Sequence, residues 1–426
     1  MAADDDPPPG AASDLTDDEA AIRLRPWSAF AFRDYRVLWL AGLSILVTNN
    51  LRLLSSTVWL FDETGSAAVL GLIGLVLLIV QIPSLLFGGS LADRMNRKHL
   101  MSGMQGATAV VAAGVAVLAL TGSLQPWHIF VTTGVTGITA VISEPARSAL
   151  TQSVVPRSHL MHAVTTSTLT FQIAAILSPL FFAAVASTYG LTPGFVMVAV
   201  TSVFGVVLPF FIRAPGNPAP NLQRRAIPRE IVEGFHFVRK HPILPGLVSL
   251  DASITVFSYY RETLPAFAAG LYGAGAGGVG LLSSTNSIGA AAGSFLVLFL
   301  AGFRARGMLV LYASVLYALI LFPFGIVPWI GVGVVLIGLL GATDAVGMTV
   351  RQSTTQLTTP PEMLGRALSF FSVAAYTANN VGTLWVGMLA ALIGVPNTML
   401  VGGALSLLTV WLTARLVPGI RTYRYP

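Results

Sequence analysis

Apolar runs of roughly 20 residues recur along almost the whole chain, each long enough to cross about 30 Å of hydrocarbon as a helix. They fall at about 36–60, 69–91, 98–121, 127–148, 160–186, 193–213, 244–268, 277–302, 307–325, 328–350, 364–391 and 395–416. The connections between them are short, except at 214–243. That linker opens with a Pro-rich stretch, APGNPAPNLQRRAIP, and continues as REIVEGFHFVRKHP. In its second part Ile231, Phe235 and Val238 share one side, while Arg229, Glu233, Arg239 and Lys240 lie elsewhere. This is the pattern of a short amphipathic helix lying at a membrane surface. Six candidate spans precede the linker and six follow it. The pattern predicts an all-α membrane protein of twelve transmembrane helices, with a polar, disordered cytosolic tail at 1–26, one six-helix bundle at 27–213, the linker at 214–243, a second bundle at 244–418 and a short cytosolic tail at 419–426.

Composition supports the membrane class. The chain is 54% hydrophobic and 10% charged, with a mean hydropathy of +0.76. That is too little charge to cover the surface of a soluble protein of 426 residues. No cysteine is present, which excludes disulfides, thiolate metal sites and cysteine nucleophiles. The six histidines include no His-x-x-x-His pair. A net charge of +6 would suit a nucleic-acid partner, but its placement gives it another meaning. The N-terminal tail lacks the basic start and apolar core of a signal peptide. With that tail in the cytosol, every Arg and Lys except Arg52 and Arg261 lies on the cytosolic side or at a cytosolic helix end. The outer connections, near 61–68, 122–126, 187–192, 269–276, 326–327 and 392–394, carry none. The positive-inside rule then predicts a multi-pass protein of the bacterial cell (inner) membrane with both termini cytoplasmic. Its expected partners are the lipid bilayer and a small-molecule substrate, with no nucleic acid, and it is expected to act as a monomer.

The two halves repeat one another. A slide of 204 residues lays RSALTQSVVPRSHLMHA (147–163) on RQSTTQLTTPPEMLGRA (351–367) without a gap, matching Arg147 to Arg351, Gln152 to Gln356 and Pro156 to Pro360. A slide of 209 residues matches Arg52 to Arg261, Gly71 to Gly280 and Arg97 to Arg306. Duplicated six-helix halves related by an axis along the membrane normal are an arrangement of secondary transporters.

Charges inside a bilayer cost about 2.5–3.5 kcal/mol each on the insertion scale, so they require partners or a wet cavity. The candidates are Arg52, Glu144, Asp251, Arg261, Glu262 and Asp344. Asp251, Thr255, Ser258 and Glu262 form one stripe on an expected continuous seventh helix. Helix 1 carries Ser44, Thr48, Arg52 and Ser55 on a similar stripe, with Asn49 beside it. Helix 5 carries Thr165, Thr168 and Gln172, and their repeat counterparts on helix 11 are Ser369, Ser372 and Tyr376. Polar stripes on symmetry-related helices are what the walls of a central aqueous cavity require. The expected substrate cavity is therefore Asn49, Arg52, Thr165, Thr168, Gln172, Ser258, Arg261, Glu262, Ser372 and Tyr376. The plainer alternative, that isolated Ser and Thr only bond helices to one another, remains open. For proton coupling a carboxylate must change protonation during the cycle, and Asp251, Glu262 and Asp344 are the candidates.

Between helices 2 and 3 the chain reads GGSLADRMNRK (88–98). This resembles the loop signature of the major facilitator superfamily, matching it at Gly89, Leu91, Ala92, Asp93, Arg94, Arg97 and Lys98, with Asn96 where the family has a glycine in a left-handed backbone. TGSAAVLGLIGL, EPARSALTQSVVP and EGFHFVRKHP further resemble the bacterial multidrug and siderophore (enterobactin-type) exporter branch. The resemblance spans about 27–418. It implies the major facilitator fold, no cofactor beyond the proton gradient, and export of a drug-like or siderophore-like amphipathic compound by proton antiport with rocker-switch alternating access. It also implies that the signature aspartate helps close a cytosolic gate. Gly89, Asp93, Arg94, Arg97, Glu144, Arg147 and Arg351 are then expected to form a salt-bridge latch between helices 2, 4 and 11. Two features depart from the branch. No arginine lies in 127–143, and helix 5 has Ser178–Pro179 in place of a Gly-x-x-x-G-P motif. These departures keep open a facilitator or importer of a nutrient or lysolipid. An enzyme is not expected, since no intramembrane Ser/His/Asp set and no Gly-x-x-x-x-Gly-Lys-Ser/Thr loop occurs.

Overall fold

The computed structural model describes residues 27–217, 227–300, 302–303 and 305–423, with the side chains of 87–90, 92, 93, 227 and 228 outside that description. The first half consists of α1 (Arg33–Thr64), α2 (Ala67–Arg94), α3 (Arg97–Leu120), α4 (Pro126–Val154), α5 (Leu160–Tyr189) and α6 (Thr192–Val207). The linker holds α7 (Ile227–Lys240). The second half consists of α8 (Leu244–Ser258), α9 (Leu264–Tyr272), α10 (Ala276–Phe299), α11 (Arg306–Ile326), α12 (Ile330–Thr358), α13 (Pro361–Ile393), α14 (Val395–Leu416) and the short α15 (Gly419–Thr422). Ten of these are long and apolar enough to cross a membrane. The long α13 and the pair α8 plus α9 complete six passes in each half.

Local sequence accounts for the ends. Gly65 terminates α1 with φ 61°, a left-handed conformation that costs glycine nothing. At the start of α4 the Gln125 side chain and the His128 ring satisfy one another's backbone amides, with Pro126 at the first turn. The expected continuous seventh helix is corrected: α8 ends at Ser258 and α9 begins at Leu264. Pro265 is the physical cause. It lacks an amide proton and its ring would collide with the Arg261 carbonyl in an unbroken helix, so the chain opens over 259–263 and resumes with Pro265 in the first turn of α9.

Asn96 also differs from expectation. It is extended (φ −61°, ψ 120°) rather than left-handed, and its side chain accepts hydrogen bonds from the Lys98 and His99 amides, capping α3. The same segment is fastened to the start of the linker: the Arg97 amide donates to the Gly216 carbonyl (2.8 Å) and Lys98 Nζ to the Ile212 carbonyl (3.0 Å).

The apolar core shows how the halves meet. One cluster runs through both, from Leu51, Leu54 and Val58 of α1 to Leu264 and Phe267 of α9 and Phe324 of α11. It occupies the end of the bundle that has no arginine in its connections. Toward the opposite, arginine-rich end the core divides into separate clusters, the larger two around Tyr35, Leu150 and Ala163 and around Leu247, Val310 and Val350, with a small one at Leu100 and Ala146. Among the described residues the apolar core is therefore shared between the halves at one end and divided between them at the other.

The joint is made by small residues. A Cβ on Gly71 of α2 would lie 3.1 Å from the Gly387 Cα of α13, and Gly280 of α10 presses on the Pro179 carbonyl of α5. Bare backbones let helices from the two halves approach this closely, which in lipid replaces the hydrophobic drive available in water. Two hydrogen bonds cross the same joint: Asn380 Nδ2 to Gln81 Oε1 (2.9 Å) and Ser284 Oγ to the Ile176 carbonyl (2.9 Å).

Candidate functional site: a charged cleft between the halves

The break at 259–263 sits midway along its pass and projects polar side chains into the space between the halves. Arg261 is exposed there, as is Asp344 at the middle of α12. An exposed charge at mid-depth faces water rather than hydrocarbon, so these two residues define the floor of an aqueous cleft. Arg261 donates a hydrogen bond to the Tyr259 hydroxyl. Asp344 lies in the field of two guanidiniums, Arg351 and Arg261. Behind them Tyr317 bonds to Ser258, and Asn286 Nδ2 donates to Tyr260 Oη at 2.7 Å and to the Ile337 carbonyl at 3.3 Å. This network ties the unwound segment to α10, α11 and α12, so its side chains are positioned by packed helices.

Of the other expected cavity residues, Thr165 and Thr168 of α5 and Ser372 of α13 are exposed, and Asn49, Gln172 and Tyr376 are half-buried. The Thr165, Thr168 and Ser372 hydroxyls donate to carbonyls of their own helices (2.8, 3.1 and 3.0 Å), which leaves their lone pairs free to accept. Tyr376 looks across the cleft toward Glu144 of the other half. Ser258 is buried instead, its hydroxyl donating to the Ile254 carbonyl (2.6 Å).

Glu262 does not share a stripe with Asp251, because the break rotates it away. It is 8% exposed, accepts a hydrogen bond from Thr383 Oγ1 (3.1 Å), and faces Arg52 of α1 across the joint. Arg52 Nε is buried without a hydrogen-bond partner. These two residues lie where the halves touch, on the closed side of the cleft.

Asp251 forms an ion pair with Arg351 (Oδ1–Nη2, 2.7 Å), linking α8 to α12 within the second half. Glu144 and Arg147 pair within α4, through Nη2–Oε1 at 2.7 Å and Nε–Oε2 at 3.1 Å. Among the described residues, Arg351 is held inside its own half by Asp251 and Arg147 inside its own helix by Glu144. The expected latch among helices 2, 4 and 11 turns on Asp93, whose side chain lies outside the described residues. Arg94 is exposed and Arg97 half-buried at that end. The surroundings of Gly89 and the side chain of Asp93 lie outside the described residues.

The sequence reading missed Tyr259, Tyr317, Asn286 and Thr383. Tyrosines and amides in apolar helices carry no periodic signal, but Pro265, four residues beyond Arg261, marked the unwinding that exposes Tyr259.

Two six-helix halves, joined at one end and parted around a charged cleft at the other, define a membrane transporter of the major facilitator fold. Comparisons with known proteins agree. The profile of a family described as transmembrane secretion effector matches residues 24–420. Relatives include the enterobactin exporter EntS of Citrobacter koseri, 26% identical over 404 residues that cover 94% of this chain and 93% of that one. The enterobactin exporter EntS of an Escherichia coli strain is 27% identical over 369 residues, 86% and 85% of the two chains. Among solved structures, a mutant of the nucleoside transporter NupG superposes with a TM-score of 0.75 at 12% identity, covering 90% of this chain and all of that one. A bacterial homologue of the human lysosomal transporter Spinster, in an inward-facing and unoccupied conformation, gives 0.66 at 13% identity over 91% and 99%. The chain belongs to the transmembrane secretion effector family of the major facilitator superfamily, a family of transporters rather than enzymes.

Proposed function

We propose that the protein is a secondary active exporter of the bacterial inner membrane, carrying a small amphipathic, siderophore-like or drug-like compound outward in exchange for protons by rocker-switch alternating access. The relationship to enterobactin exporters along nearly the full length of both chains carries this reading. The positive-inside rule puts the arginine-rich end, and with it the open side of the cleft, in the cytoplasm. Substrate then enters from the cytoplasm. Arg261 receives a negative group, and the ionised Asp344 accepts hydrogen bonds from hydroxyl or phenol donors. A proton reaching Asp344 from the other side removes that acceptor, so proton and substrate compete for one carboxylate. This is the condition for exchange rather than co-transport. The protein acts as a monomer without a cofactor, the proton gradient supplying the energy.

Proteoliposomes with an acid lumen test the reading, using enterobactin as one probe and ethidium as the other. The expected result is accumulation of at least one probe that a protonophore abolishes. No pH-driven movement of either probe overturns proton antiport, and movement that persists with the gradient collapsed supports a facilitator instead.

A further inference from the structure

The charges of the two halves do not balance separately. Among the described residues, the membrane-embedded part of the second half carries three carboxylates, Asp251, Glu262 and Asp344, against two guanidiniums, Arg261 and Arg351. The first half carries the Glu144–Arg147 pair, which is neutral, and one further cation, Arg52. One half thus has an unmatched negative charge and the other an unmatched positive charge. They meet at the joint between the halves, where Arg52 and Glu262 face one another.

We infer that Arg52 is a tethered counter-ion which the first half supplies to Glu262 only while the arginine-poor end is shut, and which exchanges for one proton when that end opens. Every group facing Glu262 fits this role. Thr383 of α13 donates a hydrogen bond and cannot titrate, and Arg261 and Tyr259 share the unwound segment with Glu262 and move with it. Arg52 alone belongs to the opposite half. Its Nε has no hydrogen-bond partner that would hold it in place once the halves part. When the joint separates, Arg52 leaves with α1, and the second half retains a buried carboxylate in excess of its cations. An uncompensated charge in a low-dielectric site is removed by protonation, here from the side that has just opened. Reclosure brings the guanidinium back and expels the proton. The inference rests on the antiport reading and deepens it: one proton is taken up per opening by a carboxylate separate from the substrate-competing Asp344.

A cross-link reports the state of the joint without any substrate. A Cβ on Gly277 of α10 would lie 3.8 Å from the Ser187 Cβ of α5, the usual Cβ separation in a disulfide, and the chain has no cysteine of its own. The Ser187→Cys/Gly277→Cys protein in liposomes is oxidised between pH 5 and pH 8, and the yield is read as a midpoint. Thiol chemistry is common to all variants, so the difference between midpoints is the measurement. Acidification is expected to lower the yield as Glu262 takes up a proton and the joint opens. Arg52→Gln is expected to move the midpoint upward by about one pH unit, because an opposite charge no longer holds Glu262 ionised. Arg52→Lys, which keeps the charge, is expected to stay near the parent, and Glu262→Gln to leave only the pH dependence of the thiols themselves. A midpoint in Arg52→Gln equal to the parent's, or a curve in Glu262→Gln that still follows the parent's, overturns the inference. Proton-driven probe uptake by the parent with those same null results overturns this inference and leaves antiport standing. Shifted midpoints without any pH-driven uptake support the counter-ion role and overturn antiport alone.

Discussion

The two halves carry the same arginine in the same place and treat it differently. Arg147 on α4 and Arg351 on α12 are repeat counterparts, and each leans on the first helix of its own half. Arg351 meets Asp251 of α8 at 2.7 Å. The 209-residue offset that relates the two first helices places Gly42 opposite Asp251, and a Cβ on Gly42 would lie 3.8 Å from Arg147 Nη1. The first half therefore has the arginine without the facing acid, and draws a carboxylate from its own helix, Glu144, one turn away. Asp344 likewise has no acidic counterpart, since the 204-residue offset places Ala140 there. One duplicated scaffold thus carries an excess of embedded carboxylates in its second half and of embedded arginine in its first. In the proposed cycle the second half contributes the groups whose protonation changes. The unwinding at Pro265 strengthens that division, since the opposite pass, α1, runs unbroken from Arg33 to Thr64.

Removing Asp251 should break this asymmetry most severely. Asp251→Ala leaves the Arg351 guanidinium, 16% exposed, without its partner in the interior of the second half. Breaking a buried pair by deleting one member costs about 3–5 kcal/mol, and partial hydration here reduces that to roughly 2–4 kcal/mol. Thermal unfolding of the detergent-solubilised protein should show the loss. The double variant Asp251→Ala/Arg351→Ala should recover part of it, because the Arg351 guanidinium is then no longer left in place of a broken pair. A double variant as unstable as the sum of the two single variants would show that the pair is not coupled.

Asp344→Asn tests the other half of the asymmetry. Because Asp344 faces the cleft, its loss should change stability by less than about 1 kcal/mol. Proton-driven probe uptake should nevertheless fall well below that of the parent, while exchange of probe at equal pH on both sides persists. Gradient-driven uptake that survives in Asp344→Asn would transfer the competing role to another carboxylate.

How far the sequence revealed this follows from the range of each interaction. The spans were legible because each is a local run of apolar residues, and the repeat because Arg, Gln and Pro recur at fixed offsets. Glu144 and Arg147 stand one helical turn apart, a spacing that the sequence shows directly. Asp251 and Arg351 are far apart in the chain, so no local spacing links them. The seventh pass was misread as one helix because apolar residues lie on both sides of the polar segment 259–263, while Pro265 removes an amide donor and crowds the Arg261 carbonyl. Residues alone do not tell which end of a two-state protein is shut. That required seeing the core merge around Leu51 and Phe267 and divide around Tyr35 and Val350.

The smallest expected effect comes from restoring the missing symmetry. Gly42→Asp would place a carboxylate on α1 within reach of Arg147, mirroring Asp251 and Arg351, and the space beside Gly42 admits a side chain at ordinary contact distance. Gly42→Asn is the matched control, since it has the same shape and carries the same change of helix propensity without the charge. Arg147 is 27% exposed, so the added pair should be worth only about 0.2–1 kcal/mol, and less at high salt. Glu144 competes for the same guanidinium. The gain of Asp over Asn should therefore be larger in a Glu144→Gln background than in the parent, where Arg147 already holds a bidentate partner. Unfolding temperatures of the four proteins measure this coupling directly. If Asp and Asn variants unfold together in both backgrounds, Arg147 does not respond to a facing acid. The one-sided charging of the scaffold would then come from the geometry of the first half rather than from the absence of one carboxylate.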